Sequence, residues 1–163
     1  MNNALITEMA KYYTGQPERI QHYLKVFAYA KMIGEEEKIP AQKQHILETA
    51  AIVHDIGIKA SEAKYGDIAG KHQEELGPSI AQEMLTKLNY DKEVIERVCY
   101  LVAHHHTYDA IDDIDYQILV EADFLVNIHE NYNPYRSAKE AYDRIFKTVT
   151  GKNLFQIIYA LNS

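Results

Sequence analysis

Apolar side chains recur at every third or fourth residue along almost the whole chain, the spacing of helices that each bury one face. The seven glycines and four prolines fall mainly between these periodic segments. No segment requires a strand. The pattern predicts an all-α fold, a compact single-domain helical bundle over residues 1–163, with a motif-bearing core at about 17–130 and covering helices at about 134–161.

Helix boundaries are predicted from proline, glycine and the apolar period. The first long helix is expected over Pro17–Ile33, with Gly34 as the glycine that follows its C-terminus. A second is expected over Ala41–Asp55 and is broken by Gly57. The segment Lys59–Gly70 has no clear period and is interpreted as a loop over a site entrance. Further helices are expected near residues 76–88, 94–105, 118–126, 135–149 and 154–161, with His104–His106 ending the one at 94–105.

Composition excludes several classes of protein. The formal charge is −7 and the 17 Lys and Arg residues are scattered, which argues against binding to duplex nucleic acid. No apolar run has the length of a membrane span, and the N-terminal segment lacks the regions of a secretory signal, so a cytoplasmic protein with no membrane partner is expected. The single cysteine, Cys99, can form no internal disulfide.

Polar side chains interrupt the apolar helices at four places. They are His22, the His54–Asp55 pair, the His104–His106 triplet and Asp123. An ionised aspartate between Ala122 and Phe124 must be paired, hydrogen-bonded or coordinated, because an isolated buried carboxylate is very costly. Coordination of a metal ion satisfies the carboxylate directly. Imidazole with carboxylate suits a divalent ion such as Mn, Fe, Zn, Mg, Co or Ni.

The same residues resemble the H…HD…D pattern of the HD-domain metal-dependent phosphohydrolases. His22 stands in QHYLKVFAYA, His54 and Asp55 in TAAIVHDIGI, and Asp123 in LVEADFLVN. The resemblance implies an all-α fold of the HD-domain type in which these four residues bind the metal. It also implies hydrolysis of a phosphomonoester or phosphodiester. The substrate is then a small phosphorylated molecule, and a nucleotide is one candidate.

Two departures from related patterns narrow the resemblance. Many members read HDIGK, whereas Ile58 follows Gly57 here and the lysine is Lys59. The GYP motif of the branch that cleaves cyclic dinucleotides is absent, which argues against that activity.

The histidine triplet resembles the paired histidines that hold a second metal in some members, and His72 is a candidate to join His104 and His105. The sequence does not decide between one bound metal ion and two.

Polar side chains near these motifs are candidates for catalytic roles. Asp55 is expected to orient the attacking water, and Glu75 or Asp67 to act as an acid or base. Lys59, His104 or His105 are candidates to bind the substrate and neutralise charge on its phosphate. His106 is expected to be exposed.

Two alternatives to an enzyme are compatible with the sequence. One is a non-catalytic sensor that keeps the metal site and binds a nucleotide or a partner; the other is a helical domain whose histidines are satisfied by hydrogen bonds alone. The sequence is also compatible with a homo-oligomer. Turnover separates the sensor from the enzyme, because a sensor binds metal and ligand yet releases no phosphate.

Overall fold

The structure is a computed structural model that describes residues 2–161. Over that range the chain forms helices and no strand, which confirms the all-α prediction. The helices are α1 (Asn2–Tyr12), α2 (Pro17–Glu36), α3 (Ala41–Val53), α4 (Ile58–Tyr65), α5 (Gly70–Lys87), α6 (Lys92–Val102), α7 (Ile114–His129), α8 (Ala138–Ile145) and α9 (Val149–Ile158). No helix in this part of the chain combines the length and apolar character that crossing a membrane requires.

Helix α7 runs through the centre of the molecule. Its segment Ile118–Val126 is buried without interruption, so α7 has no solvated face there. It packs on α2 and α3, which also pack on each other, while α6 contacts α3 and α5. Helices α8 and α9 both pack on α7. The three central helices are the ones that carry His22, the His54–Asp55 pair and Asp123, so the fold brings these motifs together.

The boundary predicted at Gly34 is wrong. Helix α2 continues through Gly34 to Glu36. A Cβ atom on Gly34 would meet the side chains of Gln44 and Leu47 on α3. The glycine therefore lets α2 and α3 pack closely, and it does not end the helix.

The segment around Gly57 also differs from the prediction. Helix α3 ends at Val53 and a turn over residues 54–57 leads directly into α4, so most of Lys59–Gly70 is helical and only residues 66–69 form a loop. Gly57 has an ordinary helical φ of −73°, but a Cβ atom there would lie 2.5 Å from the backbone oxygen of Gln73. Glycine is thus needed for the approach of α5. Helix α4 was missed because its eight residues are too short to show a period.

Other boundaries move by several residues. Helix α5 begins at Gly70 rather than near residue 76, and α6 ends at Val102, so the histidine triplet lies in the turn that follows it. The segment 135–149 is divided, because the backbone at Phe146 is extended and a new helix begins at Val149.

Helix α1 was not predicted at all. It buries Leu5 and Met9 completely, and two tyrosines at its end bind the turn after α3. The hydroxyl of Tyr13 donates to the carbonyl of Asp55 (2.7 Å), and that of Tyr12 donates to the carbonyl of Ile56 (3.2 Å). The N-terminal helix therefore fixes the backbone beside the His54–Asp55 pair.

Candidate metal centre

Four side chains meet in one cluster, and they come from α2, from the turn after α3 and from α7. The Nε2 atom of His22 lies 3.2 Å from Nε2 of His54, from Oδ2 of Asp55 and from Oδ1 of Asp123. Nε2 of His54 lies 3.4 Å from the same two carboxylate oxygens. Ligand atoms that share one ion at about 2.0–2.2 Å are separated by about 3.0–3.5 Å. The spacing of the cluster therefore fits one coordination shell.

A fifth side chain borders this cluster. Nε2 of His105 lies 3.4 Å from Oδ1 of Asp55. Asp55 thus points one oxygen toward His22 and His54 and the other toward His105. The histidine is 1% exposed, and its Nε2 has no hydrogen-bond partner among the described residues.

Hydrogen bonds on the far side of each ring fix the tautomers of the three histidines. Nδ1 of His54 lies 2.8 Å from the carbonyl of Ala51, and Nδ1 of His105 lies 2.9 Å from the carbonyl of Val102. A carbonyl only accepts, so both Nδ1 atoms carry the proton. Nδ1 of His22 likewise donates to Glu130 Oε2 (2.8 Å). In the neutral rings, the lone pairs of all three Nε2 atoms face the cluster.

As long as the three rings are neutral, the cluster is consequently a set of acceptors without donors. Asp123 is 3% exposed, and its Oδ1 atom has no hydrogen-bond partner within residues 2–161. Buried acceptors that face one another repel unless a cation lies among them. A metal ion or bound protons can supply that positive charge, so the residues present fit a divalent metal.

The pKa values show the same demand for positive charge. Burial alone would lower the pKa of His22, but hydrogen bonds and charge from Asp123 and Asp55 outweigh burial and raise the pKa to about 11. The same carboxylates raise the pKa of His54 to about 10. Burial would raise the pKa values of Asp55 and Asp123, yet the imidazoles hold both well below the usual range. Without a metal, the cluster therefore retains protons on its histidines.

A second group of potential ligands consists of Asp55, His105 and His106. His106 is partly buried, contrary to the expectation that it is exposed, because Gly70 packs directly on its ring. The amide nitrogen of Gln73 donates to the carbonyl of Ile68, so the amide oxygen faces His106 and accepts from its Nε2 (3.1 Å). Burial, together with the charge of His105, lowers the pKa of His106 to about 4.

The turn that carries the histidine triplet is held from both sides. Glu74 accepts from the backbone N–H of His106 (2.9 Å) and from the Thr107 hydroxyl (3.1 Å). The Tyr116 hydroxyl donates to the carbonyls of His104 and Thr107. These contacts from α5 and α7 place His105 against Asp55, although the triplet itself is not helical.

Five residues with predicted roles lie outside both groups, among them Asp67, which accepts from Nδ1 of His72 (2.7 Å). Lys59 donates to the carbonyl of Tyr12 (3.0 Å) on α1, and Glu75 is exposed and pairs with Lys64. His72 stacks on Tyr65, and Nδ1 of His104 donates to the carbonyl of Tyr100. The structure does not bring Lys59, Asp67, Glu75, His72 or His104 to the cluster. The second group therefore contains His106 in place of His72 and His104.

A cavity of about 620 Å³ opens onto the cluster at His22 and Asp55. Arg19 and Lys25, three residues before and after His22 on α2, line the same cavity. Nε of Arg19 is buried without a hydrogen-bond partner among the described residues, and its Nη2 atom makes one long contact with Glu62 (3.3 Å). Sequence analysis missed Arg19, although its spacing from His22 places both on one helix face.

Comparisons with known proteins agree with this arrangement. The HD domain is the family whose profile matches the chain, over residues 19–147. Comparison with curated proteins finds no match. The chain is also similar to the crystal structure of a predicted HD superfamily hydrolase from an uncultured Thermotogales bacterium, with a TM-score of 0.70 and 22% sequence identity. The aligned region covers 97% of this chain and 84% of the hydrolase chain.

The profile match spans most of the chain and includes His22, His54, Asp55 and Asp123. The chain therefore belongs to the HD-domain family, a family of metal-dependent hydrolases, as its motifs predicted.

Proposed function

We propose that this protein is a metal-dependent phosphohydrolase that cleaves a phosphomonoester or phosphodiester of a small molecule. The observation that carries the proposal is the acceptor cluster at the wall of a cavity that also presents an arginine. Cavities of this size accommodate small-molecule ligands. A divalent metal supplies an activated water and polarises a phosphoryl oxygen when it is bound there.

His22, His54, Asp55 and Asp123 are the proposed ligands of the metal. His22 and Asp55 are the proposed ligands that line the cavity, and Asp55 also faces both groups, so its carboxylate is suited to accept a hydrogen bond from the attacking water and orient it. The Asp55–His105–His106 group offers a place for a second ion. Measuring the number of metal ions bound per chain shows whether this second group is occupied.

Arg19 is the proposed contact for the substrate phosphate. Its guanidinium is the least satisfied cation lining the cavity, since Lys25 is already paired with Glu130 at 2.6 Å. A planar guanidinium matches the geometry of a phosphate and retains its charge at every physiological pH. In this proposal Arg19 replaces Lys59, whose amino group faces α1.

The test is hydrolysis of a panel of nucleotides and simple phosphoesters by metal-reconstituted protein, measured as release of phosphate from monoesters and release of a monoester from diesters. Release is expected to require the metal and Asp55, and to fall in Arg19→Ala mainly through a higher KM. Arg144→Ala is the matched control, because Arg144 pairs with Glu140 on α8 outside the cavity. Metal retention without release from any compound would favour the non-catalytic sensor.

A further inference from the structure

The three histidines around Asp55 are oriented by two different means. His54 and His105 follow the C-termini of α3 and α6, and each donates Nδ1–H to a carbonyl three residues earlier. The last carbonyls of a helix lack intrahelical partners and are free to accept. Backbone carbonyls therefore orient the rings of His54 and His105, and no helical hydrogen bond is lost.

His22 has no such carbonyl. It lies within α2, five residues after Pro17 and well before Glu36, where the carbonyls are committed to helical hydrogen bonds. A histidine in the middle of a helix needs a side-chain acceptor from elsewhere to fix its tautomer. The ring of His22 finds that acceptor in Glu130, 108 residues away in the sequence.

Glu130 is placed by the helix that supplies Asp123. It directly follows α7 and stands seven residues, two helical turns, after Asp123, so both carboxylates project toward α2. Its two oxygens are both engaged. Oε2 accepts from Nδ1 of His22 (2.8 Å), and Oε1 accepts from Nζ of Lys25 (2.6 Å).

We propose that Glu130 is a positioning residue that holds His22 as a metal ligand. Its carboxylate keeps the proton on Nδ1, fixes the plane of the ring and makes Nε2 a stronger donor to the ion. Glu130 is not itself a ligand, because it contacts the ring edge that faces away from Asp55 and Asp123. This inference rests on the metal site of the proposed function.

Lys25 has a supporting part in the same arrangement. It is one turn after His22 on α2, so the helix that carries the histidine also holds the carboxylate that orients it. The ammonium group fixes the second oxygen of Glu130 and limits rotation of the carboxylate. Lys25→Met is therefore expected to weaken metal binding less than loss of Glu130 does.

The experiment compares zinc affinity, measured by competition with a chromophoric chelator, in four forms of the full chain. These are the wild type, Glu130→Ala, Glu130→Gln and Glu18→Ala. Glu18 is a matched control because it is an exposed glutamate that lines the same cavity, whereas the side-chain partners of the His22 ring are Glu130, His54, Asp55 and Asp123. Circular dichroism confirms that each variant is folded.

Glu130→Ala is expected to bind zinc about 10–100-fold more weakly, the usual effect of removing the partner of a metal-bound histidine. Glu130→Gln is expected to be intermediate, since its amide oxygen still accepts the hydrogen bond, and Glu18→Ala to resemble the wild type. A second readout is the Nδ1–H proton of His22 in NMR spectra of metal-free protein. It should exchange slowly in the wild type and rapidly in Glu130→Ala.

Wild-type zinc affinity in Glu130→Ala would overturn the inference, as would an equal loss in Glu18→Ala, which would indicate a general effect of charge. A wild-type protein that binds zinc but hydrolyses no phosphoester would contradict the proposed function and leave the role of Glu130 standing. A wild-type protein that binds no divalent metal would overturn both.

Discussion

Two of the buried carboxylates on helix α7, Glu121 and Asp123, lie two residues apart and have opposite surroundings. Glu121 is 0% exposed and Asp123 is 3% exposed. Glu121 faces the junction of α8 and α9, whereas Asp123 faces His22 and His54 on the other side of the helix. Burial alone therefore does not distinguish a functional carboxylate from a structural one, and the partners must be identified.

The carboxylate of Glu121 has hydrogen-bond donors at both of its oxygens. Its oxygens accept from the backbone N–H groups of Lys147 (2.6 Å) and Thr148 (2.9 Å), from the Thr148 hydroxyl (2.5 Å) and from the side chain of Gln117 (2.8 Å). Burial raises the pKa of Glu121 despite these contacts. This carboxylate connects the C-terminal helices to the core and needs no further partner.

Oδ1 of Asp123 faces only Nε2 of His22 (3.2 Å) and Nε2 of His54 (3.4 Å), so with neutral rings it accepts no hydrogen bond among residues 2–161. This difference shows that an unsatisfied acceptor, surrounded by other acceptors, indicates a cation site. It also predicts that variants on the two sides of α7 will separate metal binding from stability.

The largest effect is expected for Asp123→Asn. The amide removes one negative charge and brings donors among the lone pairs, so zinc affinity should fall by more than about 100-fold, beyond the range for outer-shell partners. Isothermal titration calorimetry measures it. Glu121→Gln, the same change on the other side of the helix, serves as the control and should retain wild-type affinity; equal losses would remove the distinction between the two carboxylates.

Metal affinity should also rise steeply with pH. At neutral pH the metal-free cluster holds protons on His22 and His54, whose pKa values of about 11 and 10 exceed the ordinary 6.5. Metal binding must displace these protons, so affinity is expected to increase by up to about 100-fold per pH unit. Calorimetry in buffers of different ionisation enthalpy counts the protons released. No proton release at pH 7 would contradict this prediction.

The same shifts determine the stability of the metal-free protein. Because folding raises the pKa values of His22 and His54, their stabilising contribution is complete below about pH 6.5. It is lost progressively as pH rises through 10 to 11. The free energy of unfolding without metal should therefore decline above neutral pH, and saturating zinc should oppose that decline.

Glu121→Ala is expected to lower stability instead of metal binding. It leaves the buried donors at Lys147 and Thr148 without their acceptor, which should cost about 3 kcal/mol of the free energy of unfolding. Urea denaturation measures the loss, and zinc affinity should stay within about twofold of the wild type. A stable Glu121→Ala protein would show that water replaces the carboxylate.

A smaller loss of stability is expected for Gly151→Ala. A Cβ atom on Gly151 would collide with Oε2 of Glu121 and crowd the Thr148 hydroxyl, and neither group can move without breaking hydrogen bonds. Overpacking of this kind costs about 1–3 kcal/mol. Gly66→Ala is a useful reference, because Gly66 has a positive φ of 72° but open space around it. Because Gly151 lies within α9 and has no positive φ, wild-type stability in Gly151→Ala would show that the crowding is relieved at no cost.

The smallest effect is expected for Lys59→Ala. The amino group of Lys59 binds the carbonyl of Tyr12 and lies over its ring, outside the cavity that His22 and Asp55 line. Phosphate release should stay within about twofold of the wild type, whereas Arg19→Ala should be impaired. A strong loss in Lys59→Ala alone would restore the role that sequence analysis assigned to this lysine.

The sequence was sufficient for the fold class and for the residues that meet on α2, α3 and α7. Apolar spacing identified the long helices, and the H…HD…D order selected His22, His54, Asp55 and Asp123 before any coordinates. The requirement that a charge in an apolar helix has a partner applies to Asp123. It applies equally to Glu121, but the sequence cannot show that the partners of Glu121 are backbone N–H groups 26 and 27 residues later.

Residues identified only by the structure depend on contacts between distant segments. Glu130 reaches His22 across 108 residues, and Gln73 reaches His106 across 33. A periodic pattern contains no information about such pairs. Local errors have a different origin, since Gly34 and Gly57 were interpreted as helix breakers when each in fact permits close packing against a neighbouring helix.

The tyrosines at the end of α1 affect how the protein should be expressed and trimmed. The match to the HD-domain profile begins at residue 19, so a chain shortened to that match would lack Tyr12 and Tyr13. The carbonyls of Asp55 and Ile56 would then lose their hydroxyl donors, and the turn beside His54 would lose its outer support. A protein trimmed to its recognisable family segment should thus retain every proposed metal ligand and still bind metal poorly.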